Sequence, residues 1–119
     1  MFTQVRSANR RVSPAEDNKH KVVIKAVYVV LEPQYQNSLT EAAKLINQIQ
    51  GPIGIELNGY LIEELRDDNN YNDFVEDISK ADIFIASLIF IEDLAQKVVD
   101  AVLPYKENLK ASVIFPSMP

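Results

Sequence analysis

Few residues in this chain combine a reactive type with a neighbour that could activate it. The densest titratable group is Glu63, Glu64, Asp67 and Asp68, an all-oxygen set of the sort Mg2+ takes while keeping part of its water shell. On an extended strand, adjacent Glu63 and Glu64 would point to opposite faces, and Arg66 sits among the acids. The group therefore reads as a solvated, ion-paired edge. His20 is the one histidine and is flanked by Lys19 and Lys21, so it has no local partner for a metal pair or a nucleophile–base couple. Ser87 lies outside any G-x-S-x-G context and is not expected to be a nucleophile. The chain has no cysteine, which removes thiolate catalysis, thiolate metal sites and disulfides. No catalytic residue and no metal ligand is assigned from the sequence.

Binding contacts are a separate question. In open α/β sheets ligands sit beyond the carboxyl ends of the strands, which directs attention to the loop Glu32 to Ser38 and to the end of the third predicted strand. Glu32, Gln34, Tyr35 and Ser87 are the candidate ligand or partner contacts there. The loop lacks the glycines that let backbone close on a pyrophosphate, and no GxxxxGK[ST] occurs, so nucleotide binding of the usual kinds is not expected. The structural alternative is an ordinary strand-to-helix loop with Ser38 as a cap and Ser87 satisfying a backbone group. Glu92 and Asp93 fall where a third helix begins, and they favour its positive end without needing a metal.

The elements that must position these residues are legible from periodicity. Val22 to Leu31 is nearly continuous in apolar character and rich in β-branched residues, the pattern of a central strand buried on both faces. Pro33 stops it, and Ser38 with Glu41 gives a capping-box signature for a helix. Leu39, Ala42, Ala43, Ile46 and Ile49 would face the sheet. Gly51-Pro52 ends that helix, and a second strand follows over roughly Ile53 to Ile62, with Gly59 as a bulge or close-approach point. Asn69 or Asn70 is expected to cap a second helix carrying Tyr71, Phe74, Val75 and Ile78. A third strand runs from Asp82 to Phe90. A third helix carries Ile91, Leu94, Ala95, Val98 and Val102 and ends near Pro104, and a fourth strand spans Ala111 to Phe115. Strands separated by helix-length crossovers imply a parallel sheet. The fold class is therefore α/β, a Rossmann-like or flavodoxin-like sheet of about four strands with three crossover helices.

The 119 residues fit one domain, with residues 1–21 as a flexible leader and 22–119 as the α/β body. The body is expected to be an incomplete domain, because no helix follows the fourth strand to cover its part of the sheet. The composition, 47% hydrophobic and 24% charged, is that of a folded globular chain. The net charge is −5, and Arg6, Arg10 and Arg11 stand in an acid-free start, leaving −8 on the remainder. Such a body repels nucleic-acid phosphate, so no nucleic-acid partner is expected. No apolar run approaches the ~20 residues of a spanning helix, and no secretory core follows the start, which points to the cytosol or an equivalent interior.

Four stretches taken together carry a family resemblance: Val27 to Gln36, Gly59 to Asp67, Ser87 to Glu92 and Phe115 to Pro119. In this order and spacing the chain resembles the N-terminal region of the large, porphyrin-binding H subunit of magnesium chelatase, related to the cobalt chelatase large subunit. The likeness takes in Met1-Phe2-Thr3 and Arg10-Arg11-Val12, as in the cyanobacterial form without a transit peptide. The resemblance implies a parent that binds protoporphyrin IX and inserts Mg2+ with ATP hydrolysed by I and D type AAA+ partner subunits, in chlorophyll biosynthesis. It implies a cytoplasmic setting, or the stroma in a plastid organism. It brings no catalytic residue and no cofactor to this segment, which would serve as scaffold or docking domain against the remainder of the large subunit. The competing expectation is a non-enzymatic module that holds a tetrapyrrole or a partner protein at the strand-end loops. A flavodoxin-like response or carrier domain shares the layout but lacks a defensible phosphate-accepting pocket.

Overall fold

The computed structural model describes residues 11–14, 22–31, 33–49, 51–88 and 92–116. Five strands form one sheet among them: β1 (Arg11–Val12), β2 (Val22–Val30), β3 (Ile53–Leu61), β4 (Ile83–Leu88) and β5 (Ala111–Pro116). Three α-helices alternate with them: α1 (Pro33–Gln48), α2 (Asp68–Ser79) and α3 (Glu92–Val102). Short 3-10 helices, Ile62–Arg66 and Leu103–Asn108, continue β3 and α3. The spatial order is β1-β3-β2-β4-β5, all parallel except β1. The α/β class with parallel crossovers is as the sequence indicates, with one strand more. The addition is β1, where Arg11 and Val12 pair antiparallel with Asn58 and Leu57. The leader expected over 1–21 thus contains two residues that belong to the sheet, held there because Val12 is buried beside Leu57.

β2 is the centre, paired with β3 from Val22↔Ile53 to Val30↔Leu61 and with β4 from Ala26↔Ile83 to Val29↔Ala86. Its residues Ala26 to Val30 are all buried, as a strand covered on both faces requires. Ala26, Tyr28 and Val30 pack with Val12, Leu57 and Ala43 of α1. Val27 and Val29 pack on the opposite face with Phe74 and Ile78 of α2, Val98 and Ala101 of α3, and Phe84. Each fully buried apolar side chain of this size contributes on the order of 1.5–3 kcal/mol of transfer free energy.

α1 departs from the sequence reading in two ways. It begins at Pro33, whose fixed φ suits a first helical position, and Ser38 lies inside the helix with its hydroxyl donating to the Gln34 carbonyl at 3.2 Å. The face it buries is Gln36, Thr40 and Ala43, whereas Ile46, Leu45 and Ile49 are exposed. Asn47 gives the reason for this rotation. Its amide nitrogen donates to the Ile55 carbonyl at 2.9 Å and its oxygen accepts from the Ile55 N–H at 2.7 Å. That side chain occupies the outer edge of β3 where β1 does not reach, and it fixes which side of α1 faces inward.

Gly59 fulfils the close-approach expectation. It stands opposite Tyr28 in the ladder, and a Cβ on it would lie 1.9 Å from Tyr28 Cζ. The phenol ring fills the space that any side chain at 59 would need. Replacing Gly59 with Ala must expel the ring or shift the strand, so urea denaturation should show a loss toward the upper end of the overpacking range, about 3 kcal/mol. Gly51→Ala is the contrast: its nearest contact would be an ordinary 3.8 Å from Ile49, and a change no larger than about 0.5 kcal/mol is expected.

Candidate functional site

Because β2, β3 and β4 are parallel neighbours, their carboxyl ends share one edge of the sheet. The connection after β2 leads to α1 on one face, and the connection after β3 leads to α2 on the other. This is a topological switch point, where open α/β sheets place ligands. Gln34 and Tyr35 lie there in the first turn of α1, both exposed, with Tyr35 at 47%. Ser87 lies near the end of β4, its backbone opposite Phe115 of β5. The structure therefore brings Gln34, Tyr35 and Ser87 to one sheet edge, while Glu32 lies outside the described residues, as do His20, Phe90 and Ile91. Gln36, which the sequence reading did not single out, is buried at the same edge, and its Nε2 has no hydrogen-bond partner among the described residues. Its burial follows from the rotation of α1, which helical periodicity alone does not show.

The acidic stretch after β3 is built differently from the expected solvated edge. Ile62–Arg66 is helical rather than extended, so Glu63 and Glu64 diverge by helical rotation. Glu63 is exposed and pairs with Arg66 at 2.6 Å, as expected of an ion-paired edge. Glu64 is 1% exposed and its Oε1 accepts from the Leu61 N–H at 2.7 Å, which satisfies a donor at the start of the 3-10 helix. The cap of α2 is Asp67, whose carboxylate accepts from the Asn69 and Asn70 N–H groups at 2.8 and 3.2 Å. Asn70 is instead in the helix, buried, and donates to the Glu64 carbonyl at 3.1 Å. These groups are committed to backbone. No cluster suited to a metal ion occurs among the described residues.

Beside this turn, Lys97 of α3 donates to the Leu65 carbonyl at 3.2 Å and lies 5.2 Å from the centre of the Tyr71 ring. The Tyr71 hydroxyl donates to the Lys97 carbonyl at 3.0 Å. α2 and α3 are thus tied together directly behind the carboxyl edge. A polar cleft lies elsewhere, over Lys25, Glu56, Arg11 and the α2 residues Asp73, Asp77 and Lys80. There Asp77 accepts from the buried Tyr60 hydroxyl and faces Arg11 at 3.9 Å, so Asp77 braces α2 against β1 and β3. An apolar groove of about 210 Å3 runs between α3, the second 3-10 helix and β5, lined by Phe84, Val99, Leu103, Leu109 and Ser112.

A mostly parallel, open sheet with α-helices on both faces defines the class, a Rossmann-like α/β domain. The chain belongs to the family described as Domain of unknown function (DUF3479), whose model matches residues 25–119. Among curated proteins it is similar to "Magnesium-chelatase subunit ChlH, chloroplastic" of Oryza sativa subsp. indica and to the protein of the same name in subsp. japonica. Each is 47% identical over 123 aligned residues that take in 100% of this chain. The resemblance to the N-terminal region of the H subunit therefore holds over the whole sequence. The chain spans 9% of the length of these relatives. No helix among the described residues is long and apolar enough to cross a membrane.

Burial, and secondarily the Asp100 carboxylate, holds the Tyr71 phenol above its ordinary range. A folded value raised above the unfolded one means a contribution fully present below about pH 10 and lost as pH rises through the folded value. Tyr71→Phe should remove this part of the alkaline fall in stability, as read by urea denaturation at stepped pH. An identical alkaline slope in the variant would contradict it.

Proposed function

We propose that the chain is a docking and scaffold domain at the N-terminus of a magnesium chelatase H subunit. The whole parent, on this reading, binds protoporphyrin IX and takes part in ATP-dependent insertion of Mg2+, the substrate ion, on the way to chlorophyll. ATP is hydrolysed by I and D type AAA+ partner subunits, and the setting is the cytoplasm of a cyanobacterial-type cell or the plastid stroma. The observation that carries this reading is the 47% identity along the entire chain to subunits named for that enzyme. Support for docking rather than chemistry comes from where the polar side chains at the ends and edges of the elements are spent. Glu64, Asp67, Asn70 and Asn47 all bind backbone, and the groove beside β5 is apolar.

A second reading, a module that itself holds a tetrapyrrole or partner, is favoured by half-exposed Tyr35 beside Gln34 and by the buried, unpartnered Gln36 nitrogen at the same edge. Protoporphyrin IX fluorescence titrated with the chain, its folding verified by circular dichroism, separates the two. The scaffold reading predicts no saturable quenching. Saturable quenching that weakens in Tyr35→Ala would transfer the assignment to the binding module.

A further inference from the structure

The two edges of the sheet are finished in opposite ways. On the β3 side, β1 is only two residues long and carries Arg11, both devices that discourage further pairing. Where β1 ends, Asn47 takes over the Ile55 backbone, and Pro14 packs on Gly54, with its Cγ 2.9 Å from where a Cβ would stand. That edge is closed residue by residue.

The β5 side has none of this. β5 is six residues, Ala-Ser-Val-Ile-Phe-Pro, without a charge, and among the described residues it pairs only with β4. Among the described residues, both faces beside it are also open. On the α2/α3 face the apolar groove leaves Leu103 63% and Val99 40% exposed. On the α1 face, Ile83 and Ile85 of β4 are only partly buried, because α1 packs over β3 and the Tyr28 side of β2. A long, uncharged edge flanked by apolar surface on both faces is an unfinished sheet rather than a natural border.

We propose that the β5 side is an intramolecular interface that takes a further strand against β5, with an apolar helix face in the Val99–Leu103 groove, both supplied by the remainder of the H-subunit polypeptide. The relatives supply the reason for this occupant. The chain matches them over its whole length but makes up 9% of theirs, and on the reading proposed above the rest of such a subunit would be a covalently attached partner at high effective concentration. A detached protein would have to find the same edge from solution. The inference rests on the scaffold reading and names the surface through which it acts.

The test uses the full-length H subunit carrying Leu103→Cys or, separately, Ser112→Cys, both at exposed groove positions where a cysteine is tolerated. Thiol labelling at each position is compared with the same position in the urea-unfolded subunit. Labelling slowed by about tenfold or more at both positions, and unchanged on dilution, is the expected result. Labelling within about twofold of the unfolded rate would overturn the proposal. So would protection that disappears on dilution, since the cover would then be a second copy. No porphyrin is present in the assay, so failure here leaves the scaffold reading to its own titration.

Discussion

Double-sided burial of β2 is the constraint on which the other elements depend. Its run Ala26 to Val30 has no solvent face, so a helix layer is required on each side. α1 meets one demand and α2 with α3 the other. Right-handed crossovers then allow few arrangements: a connection leaving β2 toward β3 and one returning past it to β4 must lie on opposite faces. The switch point, and with it the shared edge where Gln34, Tyr35 and Ser87 gather, follows from that one strand. Tyr28 packed over Gly59 locks the β2–β3 register in which this holds, because a slip of one residue would put a side chain under the ring.

Four polar side chains share one role. Each of Glu64, Asp67, Asn70 and Asn47 replaces a backbone partner that regular structure leaves out at an element's end or edge. Glu64 serves the Leu61 N–H, Asp67 the first N–H groups of α2, Asn70 the Glu64 carbonyl, and Asn47 the outer edge of β3. An unmade bond at such a place costs about 1–3 kcal/mol, which is enough to account for charged and amide side chains inside a small core. At the carboxyl edge Asp67, Tyr71 and Lys97 each hydrogen-bond to backbone.

Much of this was legible in the sequence. β-branched density announced β2, the crossover spacing announced a parallel sheet, and Gly59 inside an apolar strand announced a close approach. What escaped depended on partners distant in the chain. The burial of Gln36 and Thr40 beside the expected Ala43, with Ala42, Ile46 and Ile49 left exposed, follows from Asn47 docking on Ile55, and helical periodicity alone cannot see that contact. Glu64 looked solvated because the stretch was read as strand; once it turns as a 3-10 helix, Glu64 points inward while Glu63 keeps the expected pairing with Arg66. The Ser38 capping signature lost to Pro33, which starts the helix five residues earlier. Of the candidate contacts, position at the sheet edge could be inferred from topology. The Gln36 amide could not, since its burial depends on how α1 is rotated.

On the reading proposed above, this domain organises the H subunit and takes no part in the insertion reaction itself. The direct test is steady-state Mg2+ insertion into protoporphyrin IX by the full-length subunit with its partner subunits and ATP, comparing the native sequence with Gln34→Ala/Tyr35→Ala. The account predicts kcat unchanged within about twofold, a difference of only ~0.4 kcal/mol in the barrier. A fall of a hundredfold or more in a subunit that remains folded would place these residues in the chemistry and contradict the account.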